Sequence, residues 1–466
     1  MTKALKLIDI LTEYDAGITG ELNLDPLGQQ VIWSAYGQAI FRQRISSISN
    51  DVRNYTLNLF NHTVTKALLE DEEVTLAVGR RKGQADALQT KESMAFKQAC
   101  LIYLENVYTY AMVEAQQQEG VETSGVLGIS IARRSWQESK SNPKLLFSHL
   151  PAAHILVRQN SLGVSGRYKT PLVKMEFFDG NYDYSLPEYQ SLWQKAQKQL
   201  LGDSTPLAKL KIAAVNHLKD LLNGELPSSH EFEVVPKGLR EAFVGAFSSS
   251  KGVGKYAEKF WLDVTELDKN AAGALYYELN TKQADPKRSA KDVFKAAAGQ
   301  PNLIAAEKDK LDYVSTLEPF LGELDLLFNT MLTSKSQTLD EVVTKWEALG
   351  RNQHTLRELA DSISSNLGML TQISGTTSQR LQNLLDLSRI DDVKKQAKGL
   401  FSYHEKIMQA RGQSPWLRLA ADGSELTVDV STRKLPSEED RPVGAWVNHY
   451  YIPQFRNFIS GLKGQE

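Results

Sequence analysis

Cysteine is almost absent from this chain of 466 residues, in which Cys100 is the only one. A single thiol forms no intramolecular disulfide and no thiolate metal cluster, and such sparse use fits a reducing cytosol. The chain also lacks an apolar run of the roughly 18 residues that a membrane helix needs. Its N-terminus has no long apolar stretch of the kind found in signal peptides. We therefore expect a cytoplasmic protein without membrane contact.

Neither sign of charge is in clear excess. The chain contains 54 Lys and Arg residues and 56 Asp and Glu residues, which gives a formal net charge of -2. A chain without a net positive charge needs a local basic patch to bind nucleic acid. The length allows roughly two to four domains of about 100–200 residues each.

A complete nucleotide-binding signature is also missing. Residues 250–256, Ser-Lys-Gly-Val-Gly-Lys-Tyr, resemble the end of a phosphate-binding loop. That motif requires a glycine where Ser249 stands and a serine or threonine where Tyr256 stands. We therefore interpret this stretch as a flexible basic loop between helices, and we expect no ATPase activity and no cofactor.

Metal-binding and nuclease patterns are equally incomplete. No histidine has the spacing of a known metal site, so we expect structural or surface roles for the histidines and no metal. The sequence Asp392-Val393-Lys394 matches an acidic-x-Lys nuclease pattern, but it lies in a region with helical periodicity. Glu176 and Asp179 lack the accompanying lysine. The sequence favours a non-enzymatic protein, with a cryptic magnesium-dependent nuclease as an alternative.

Helical periodicity dominates the chain. Apolar residues recur at spacings of three and four, which places them on one face of a helix. The clearest such stripes are Phe96, Cys100, Tyr103, Val107 and Tyr110, and Leu321, Leu324, Phe328 and Met331. Asp25-Pro26 is typical of a helix start. We predict a mainly α (α+β) fold built from multi-helix bundles.

Two short β elements are expected within this helical chain. Residues 154–157 and 172–178 each read as a strand, which predicts a small β-hairpin element near 150–180. Alternating apolar residues around Asp422-Gly423 predict a short hairpin near 415–432. A C-terminal aromatic helix containing Trp446, Tyr450 and Tyr451 is predicted to follow it.

Changes in composition divide the chain into five predicted segments. They are a helical N-terminal domain (1–120), a mixed α/β segment with a basic, glycine-containing loop (121–185), a helical middle region (186–310), a helical bundle (311–412), and a hairpin with an aromatic C-terminal helix (413–466).

The densest polar stretch runs from Val157 to Pro171, and we call it the basic segment. It combines cations and amides with Gly163 and Gly166. Guanidinium groups and exposed backbone N–H groups suit phosphate oxygens, and Tyr168 is suited to stack on a base. The opposing interpretation is a solvated hairpin loop whose cations pair with nearby acids. The candidate nucleic-acid or anion-binding residues are Arg133, Arg134, Arg158, Gln159, Arg167, Tyr168, Lys169 and Lys174.

Two stretches resemble proteins encoded in bacterial anti-phage defence operons. The first comprises Leu24-Asp25-Pro26-Leu27-Gly28, Ile32-Trp33-Ser34 and residues 48–55; the second runs from Arg158 to Pro171. Together they span about a tenth of the chain. The resemblance implies an accessory subunit that works beside a helicase, ATPase or nuclease encoded next to it, and it carries over no catalytic residue.

These observations lead to one functional hypothesis with two alternatives. The first is a non-enzymatic DNA-binding or adaptor subunit of a multi-protein bacterial anti-phage defence complex. The second is a pure protein–protein scaffold without nucleic-acid contact, and the third is the cryptic nuclease. Salt-dependent DNA binding discriminates the first from the second, because phosphate contacts release counterions.

Overall fold

A computed structural model of the protein describes residues 25–77, 90–281 and 287–464. Within these ranges the chain is mainly α-helical with two small antiparallel sheets, which confirms the predicted mainly α (α+β) class. The start of the predicted 1–120 domain, including Leu24, lies outside the described residues. No helix in the described ranges has both the length and the hydropathy to cross a bilayer.

The helices are, in chain order, α1 Gln30–Phe41, α2 Val52–Glu70, α3 Met94–Glu114, α4 Ile129–Glu138, α5 Gln159–Leu162, α6 Val164–Arg167, α7 Lys169–Lys174, α8 Gln190–Gln199, α9 Pro206–Leu222, α10 Lys237–Phe247, α11 Ser250–Thr265, α12 Asn270–Asn280, α13 Ala290–Ala298, α14 Ala305–Met331, α15 Leu339–Ala348, α16 Thr355–Ser364, α17 Leu367–Thr371, α18 Gly375–Ser388, α19 Val393–Ala410 and α20 Ile452–Leu462. The strands are β1 Lys144–Leu146, β2 Ser229–Glu231, β3 Ser336–Thr338, β4 Leu417–Leu419 and β5 Glu425–Val428.

The described residues form two compact units, each assembled from distant stretches of the chain. Unit 1 contains residues 43–266 and 453–464, and unit 2 contains residues 25–42 and 267–452. Sequence neighbours such as α1 and α2 therefore belong to different units.

The centre of unit 1 is the helix α2, which is buried along most of its length although many of its residues are polar. Its threonines satisfy their hydroxyls within the helix: Thr56, Thr63 and Thr65 each donate to the carbonyl four residues earlier, at 2.8–2.9 Å. Such back-bonding lets a polar side chain lie inside a helical core. This burial on every side explains why α2 shows no simple apolar stripe in the sequence.

The helix α3 packs beside α2 and carries the predicted apolar stripe. Phe96, Cys100, Tyr103, Val107 and Tyr110 are all buried, as the periodicity predicts. Next to α3, β1 pairs antiparallel with β2, and Leu145 lies opposite His230. This pair brings residues about 85 positions apart into one ladder.

The two strands predicted within 150–180 are wrong in position and type. Residues 159–174 form the short helices α5, α6 and α7, and the strand nearest to them is β1. The apolar residues that suggested strands, such as Leu172 and Phe178, are core residues of this irregular region. A short apolar run has the same composition in either structure, so periodicity did not separate the two.

The glycine–lysine stretch at 250–256 is also different from the flexible loop that we predicted. It is the first part of α11, whose N-terminus is capped by the Ser249 hydroxyl, which accepts from Gly252 N at 2.9 Å. A Cβ added at Gly254 would overlap the backbone carbonyl oxygens of Gly461 and Leu462 in α20. The glycine therefore permits a close helix–helix contact, not a phosphate-binding turn.

Unit 2 is organised around the long helix α14. The buried Glu323 carboxylate of α14 accepts hydrogen bonds from both Nε and Nη2 of Arg351 at 2.9 Å. The two residues form a bidentate ion pair. The predicted hairpin near 415–432 is confirmed: β4 pairs antiparallel with β5, and β3 completes a sheet of order β3-β5-β4. Leu426 and Val428 face the interior as their alternation predicts.

The helix expected at Asp25-Pro26 begins later, at Gln30. The preceding turn is held by side chains from elsewhere in unit 2. His404 Nδ1 lies 2.8 Å from the Pro26 carbonyl oxygen, and Arg411 donates to the Asp25 carboxylate at 3.0 Å. Asp25 itself accepts from Gln29 N at 2.7 Å, so it caps the turn and not the helix.

The predicted aromatic C-terminal helix starts only after its aromatic residues. Trp446, Tyr450 and Tyr451 precede α20, which begins at Ile452. The Glu318 carboxylate of α14 accepts from the backbone amide of Val447 at 2.6 Å. Tyr450 and Tyr451 also have positive φ values of 43° and 62°, which are incompatible with a right-handed helix.

Candidate functional site

The basic segment lies against α3 and is held there by the amide side chain of Gln159. Its Oε1 accepts from Ile155 N at 2.8 Å, and its Nε2 donates to Asn106 Oδ1 at 2.9 Å. Asn106 in turn donates from Nδ2 to the carbonyl oxygen of Ala153 at 2.7 Å. Gln159 and Asn106 are both buried. The predicted ligand-binding amide is therefore an internal anchor of the segment.

A second anchor comes from the preceding residue of α3. The Glu105 carboxylate accepts from the backbone amide of Val164, the first residue of α6, at 3.0 Å. Burial raises the pKa of Glu105 to about 7, while the Val164 amide and the nearby Arg167 guanidinium lower it. A Cβ added at Gly163 would lie 2.6 Å from a carboxylate oxygen of Glu105. The glycine thus lets the chain approach this acid closely.

Tyr168 is a core residue in the structure. Its side chain is buried, and its ring packs edge-to-face on Tyr55 with centroids 4.9 Å apart. Its hydroxyl accepts from the backbone amide of Asp51 at 3.2 Å. A ring enclosed in this way presents no face to a base, so its placement opposes the stacking role that the sequence suggested.

Lys169 makes its contacts within the protein. Its ammonium group donates to the Gly180 carbonyl oxygen at 2.6 Å and lies 4.4 Å from the centroid of the Tyr182 ring. Burial lowers the pKa of Lys169, and the charge of Asp179 opposes that shift. The lysine therefore fastens the 179–182 turn to α7 and is half-buried there.

Arg158 and Lys174 point away from this packed interior. Both side chains are exposed, and neither pairs with an acidic group among the described residues. Arg158 has φ 56° and ψ 47°, a left-handed conformation that is uncommon for a residue with a side chain. The contacts of Gln159 directly after it maintain this conformation. A left-handed conformation costs a residue with a side chain about 1 kcal/mol or more of free energy. It persists only where the surrounding structure fixes the backbone.

The helix α4 brings the remaining two candidate residues near the segment. A Cβ on Gly128, just before α4, would lie 3.1 Å from Ile155 and 3.2 Å from Leu156, so this helix end abuts the residues that precede Arg158. Arg133 is half-buried and donates from Nε to Gln116 Oε1 at 2.9 Å. Arg134 is exposed.

The eight candidate residues thus divide into three groups. Gln159 and Tyr168 are buried anchors. Arg133, Arg167 and Lys169 are half-buried and act on groups within unit 1, whereas Arg134, Arg158 and Lys174 are exposed.

The acidic residues considered for a nuclease have identifiable local contacts. Asp392 accepts from Lys395 N at 3.0 Å and caps α19, and Lys394 pairs with Asp340. Asp179 accepts from the amides of Asn181 and Asp183 and forms a turn. Within the described ranges, no three histidine, cysteine or acidic side chains are grouped as they would be around a metal ion.

The structure also contains a buried chain of two histidines and a tyrosine that the sequence did not indicate. The Tyr103 hydroxyl lies 2.7 Å from His217 Nε2 and 2.9 Å from His230 Nε2. His230 Nδ1 lies 2.8 Å from the Pro227 carbonyl oxygen, so this nitrogen carries the proton and Nε2 accepts from Tyr103. His217 Nε2 must then donate to the hydroxyl.

This hydrogen-bonded chain ties three elements of unit 1 together. Tyr103 lies on α3, His217 on α9 and His230 on β2. Burial and the neighbouring His230 lower the pKa of His217 to about 4, which keeps it neutral at pH 7. Tyr103 is more than 100 positions from either histidine in the sequence, and only the fold brings the three residues together. Their role here is to hold the elements in place.

No protein-family model, no curated protein and no solved structure matches this chain.

Proposed function

We propose that this chain is a non-enzymatic DNA-binding or adaptor subunit of a multi-protein bacterial anti-phage defence complex. It binds the DNA backbone and works beside a helicase, ATPase or nuclease. The class of assembly comes from the resemblance of residues 24–55 and 158–171 to proteins of defence operons. The binding site comes from two exposed cations, Arg158 of the basic segment and Lys174 shortly after it.

The observation that carries the proposal is the presentation of Arg158. Its guanidinium is exposed, while the residue after it is buried and bonded to α3. Because the backbone at Arg158 is already fixed, ligand binding does not have to order it, and the entropy cost of binding is smaller. A guanidinium also donates two parallel hydrogen bonds to a phosphate, which gives the contact a defined geometry. Arg158 is therefore suited to bind a phosphate without reading a base.

Lys174 supplies a second exposed positive charge at the end of α7. Its role in this mechanism is that of a point charge, since an ammonium group has no planar fork. Contacts of this kind set the position of DNA but carry no sequence information. We expect binding with little preference among sequences.

The test is a fluorescence anisotropy titration of a short labelled DNA duplex at several salt concentrations. The variant R158A/K174A removes both exposed cations. It should bind about tenfold more weakly, and its log–log salt slope should fall by about 2, because each lost phosphate contact lowers the slope by roughly 0.9. The control K198A/K209A removes two exposed charges elsewhere in unit 1 and should behave like the wild type. Equal affinity and slope in R158A/K174A and the wild type would remove the basic segment from the binding site.

The alternative of a pure scaffold has one specific observation in its favour. Two aliphatic side chains near Arg158 are exposed: Leu150 by 49% and Val157 by 58%. Exposed apolar groups that form a patch mark protein-binding surfaces, and arginine is enriched in such surfaces. If L150D/V157D loses a co-purifying partner and the wild type fails to bind DNA, the scaffold function replaces the first proposal.

A further inference from the structure

The helix α11 carries three lysines on one exposed face. Lys251, Lys255 and Lys259 are spaced by four residues and all three side chains are exposed. The opposite face is apolar and buried, with Phe260 and Trp261 in the core of unit 1. An exposed charged face opposite a buried apolar face is typical of an amphipathic surface helix, and it directs the three lysines toward solvent.

These lysines differ from others in the chain in having no acidic partner. Lys195 of α8 pairs with Asp263 of α11 at 2.8 Å, and Lys237 of α10 pairs with Glu241. No ion pair to Lys251, Lys255 or Lys259 occurs in the described parts of the chain. In a protein with a net charge of -2, this face is a local concentration of uncompensated positive charge.

Carboxylates also lie on and beside α11, and one of them, Asp263, is four residues after Lys259 and pairs with Lys195 at 2.8 Å. Glu258 of α11 is half-buried and lies on the same side of the helix as Lys251 and Lys255. Asp51 lies at the N-terminal end of α11, where its carboxylate accepts from the Ser250 hydroxyl at 2.6 Å. The lysines extend away from Asp51 along the helix. The face as a whole keeps an excess of positive charge.

We propose that Lys251, Lys255 and Lys259 form a second contact surface for the phosphate backbone of double-stranded DNA, which we call the lysine ridge. The proposal rests on the DNA-binding function proposed above and extends it to a second surface. A helix rises about 1.5 Å per residue, so the lysines lie roughly 6 Å apart and the ridge is roughly 12 Å long. One DNA strand carries a phosphate about every 3.4 Å along its axis, so the ridge spans about three to four phosphates.

The lysine ridge and the basic segment meet at Asp51 within unit 1. The Asp51 amide donates to the hydroxyl of Tyr168 in the basic segment, at 3.2 Å. The Asp51 carboxylate accepts from Ser250, the residue before Lys251. Asp51 also caps α2 by accepting from Arg53 N at 2.8 Å. The same half-buried residue therefore fixes one end of each surface.

The glycines of this stretch support the same assignment. Gly254 allows α20 to contact α11 closely at Gly461, on the side of α11 away from solvent. A Cβ at Gly464 would lie 3.0 Å from the backbone nitrogen of Lys255. That Cβ would also lie 2.8 Å from Cγ of Lys255, so Gly464 contacts the stem of this lysine, whose side chain remains exposed. The glycine–lysine composition of residues 250–256 reflects helix packing on one side and charge on the other.

The experiment compares the full chain with K251Q/K255Q/K259Q in the same anisotropy titration. Glutamine keeps a long side chain with good helix propensity and removes the charge. We expect the salt slope to fall by about 3 and the affinity to fall by at least tenfold. The control K198Q/K209Q/K291Q removes the same number of charges from other exposed helical positions that have no ion pair among the described residues, and it should keep the wild-type slope. The variant K251R/K255R/K259R keeps the charges and should also retain binding.

Each outcome of this comparison is decisive. If K251Q/K255Q/K259Q binds like the wild type while R158A/K174A is weakened, the lysine ridge is wrong and the proposed function stands. If the control loses as much affinity as the ridge variant, the effect is one of net charge and the ridge is wrong. If the wild type does not bind duplex DNA even at low salt, the DNA-binding function and the ridge both fail.

Discussion

The side-chain amide of Gln159 donates a hydrogen bond to the side-chain carbonyl of Asn106, with both residues buried and the two atoms 2.9 Å apart. This bond fastens the basic segment to α3 directly after the exposed Arg158. It divides the segment into an internal, structural side and an external side that carries charge. The proposed function depends on this division.

The first prediction concerns Asn106. The variant Asn106→Ala leaves Gln159 Nε2 and the Ala153 carbonyl oxygen without their partners, which costs about 1–3 kcal/mol of unfolding free energy when the groups are buried. We expect this loss in urea denaturation, together with weaker DNA binding because Arg158 loses its support. The control Asn181→Ala removes an exposed side chain and should change stability by less than about 0.5 kcal/mol. Unchanged stability in Asn106→Ala would show that the anchor is unimportant.

The second prediction tests the structural role of the Tyr168 hydroxyl. The variant Tyr168→Phe keeps the ring that packs on Tyr55 and removes the hydroxyl that accepts from Asp51 N. We expect a stability loss of about 1 kcal/mol, measured by urea denaturation. We expect DNA affinity within twofold of the wild type. The exposed Tyr277→Phe is the matched control and should keep wild-type stability. Unchanged stability of Tyr168→Phe would contradict a structural role of the hydroxyl.

The third prediction uses two glycines in helices of unit 1. At Gly254 a methyl group would overlap the α20 backbone, so Gly254→Ala should lower stability by about 1–3 kcal/mol. At Gly245, in α10, nothing lies within 4 Å of an added Cβ. There the substitution Gly245→Ala should raise stability by about 0.5–1 kcal/mol, because alanine is the better helix former. Opposite signs in thermal denaturation are expected, and two stabilising substitutions would contradict the close contact of α11 with α20.

The fourth prediction is a pH dependence that arises from Glu105. Burial raises the pKa of this carboxyl group to about 7 in the folded chain, from an ordinary value of 4.5. Between these two pH values the folded chain retains a proton that the unfolded chain has released. Stability from this group therefore falls as pH rises through the window.

The variant Glu105→Gln tests this assignment because it keeps an oxygen that accepts from Val164 and does not titrate. Its stability relative to the wild type should increase with pH between about 4.5 and 7, by at most ~1.4 kcal/mol per pH unit. The exposed Glu119→Gln should give a difference that is independent of pH in this window. A constant difference for Glu105→Gln would show that Glu105 is ionised throughout it.

The sequence was most informative where apolar residues recur at helical spacing along a long helix or alternate along a hairpin. The stripe from Phe96 to Tyr110 lies in α3, and the stripe from Leu321 to Met331 lies in α14. The alternation around Asp422-Gly423 likewise identified the β4–β5 hairpin. In each case the residues that make the pattern are buried, so the local pattern and the final packing agree, although the other faces of α3 and α14 are largely buried as well.

The sequence was least informative where a distant side chain determines the backbone. Residues 154–178 form short helices that are anchored by Glu105 and Asn106, about 50 positions earlier. The stretch before α20 is held by Glu318, about 130 positions earlier. A four-residue helix is too short to show helical periodicity, and a carboxylate that binds a distant amide leaves no local pattern.

For the candidate site, the sequence identified the region but not the orientation of each side chain. It grouped Arg158 with Tyr168 because both lie in one polar stretch. In the structure one side chain is exposed and the other is buried. It also interpreted residues 250–256 as a loop, so it missed that Lys251 and Lys255 share an exposed helical face with Lys259. The four-residue spacing of these lysines was the available signal.

The most direct measurement is the affinity of the wild-type chain for duplex DNA between about 50 and 200 mM salt. Five contacts, from Arg158, Lys174 and the three lysines of α11, predict a linear log–log plot with a slope of about −4.5. A slope near zero, or no binding at the lowest salt concentration, would contradict the proposal that this chain binds the DNA backbone.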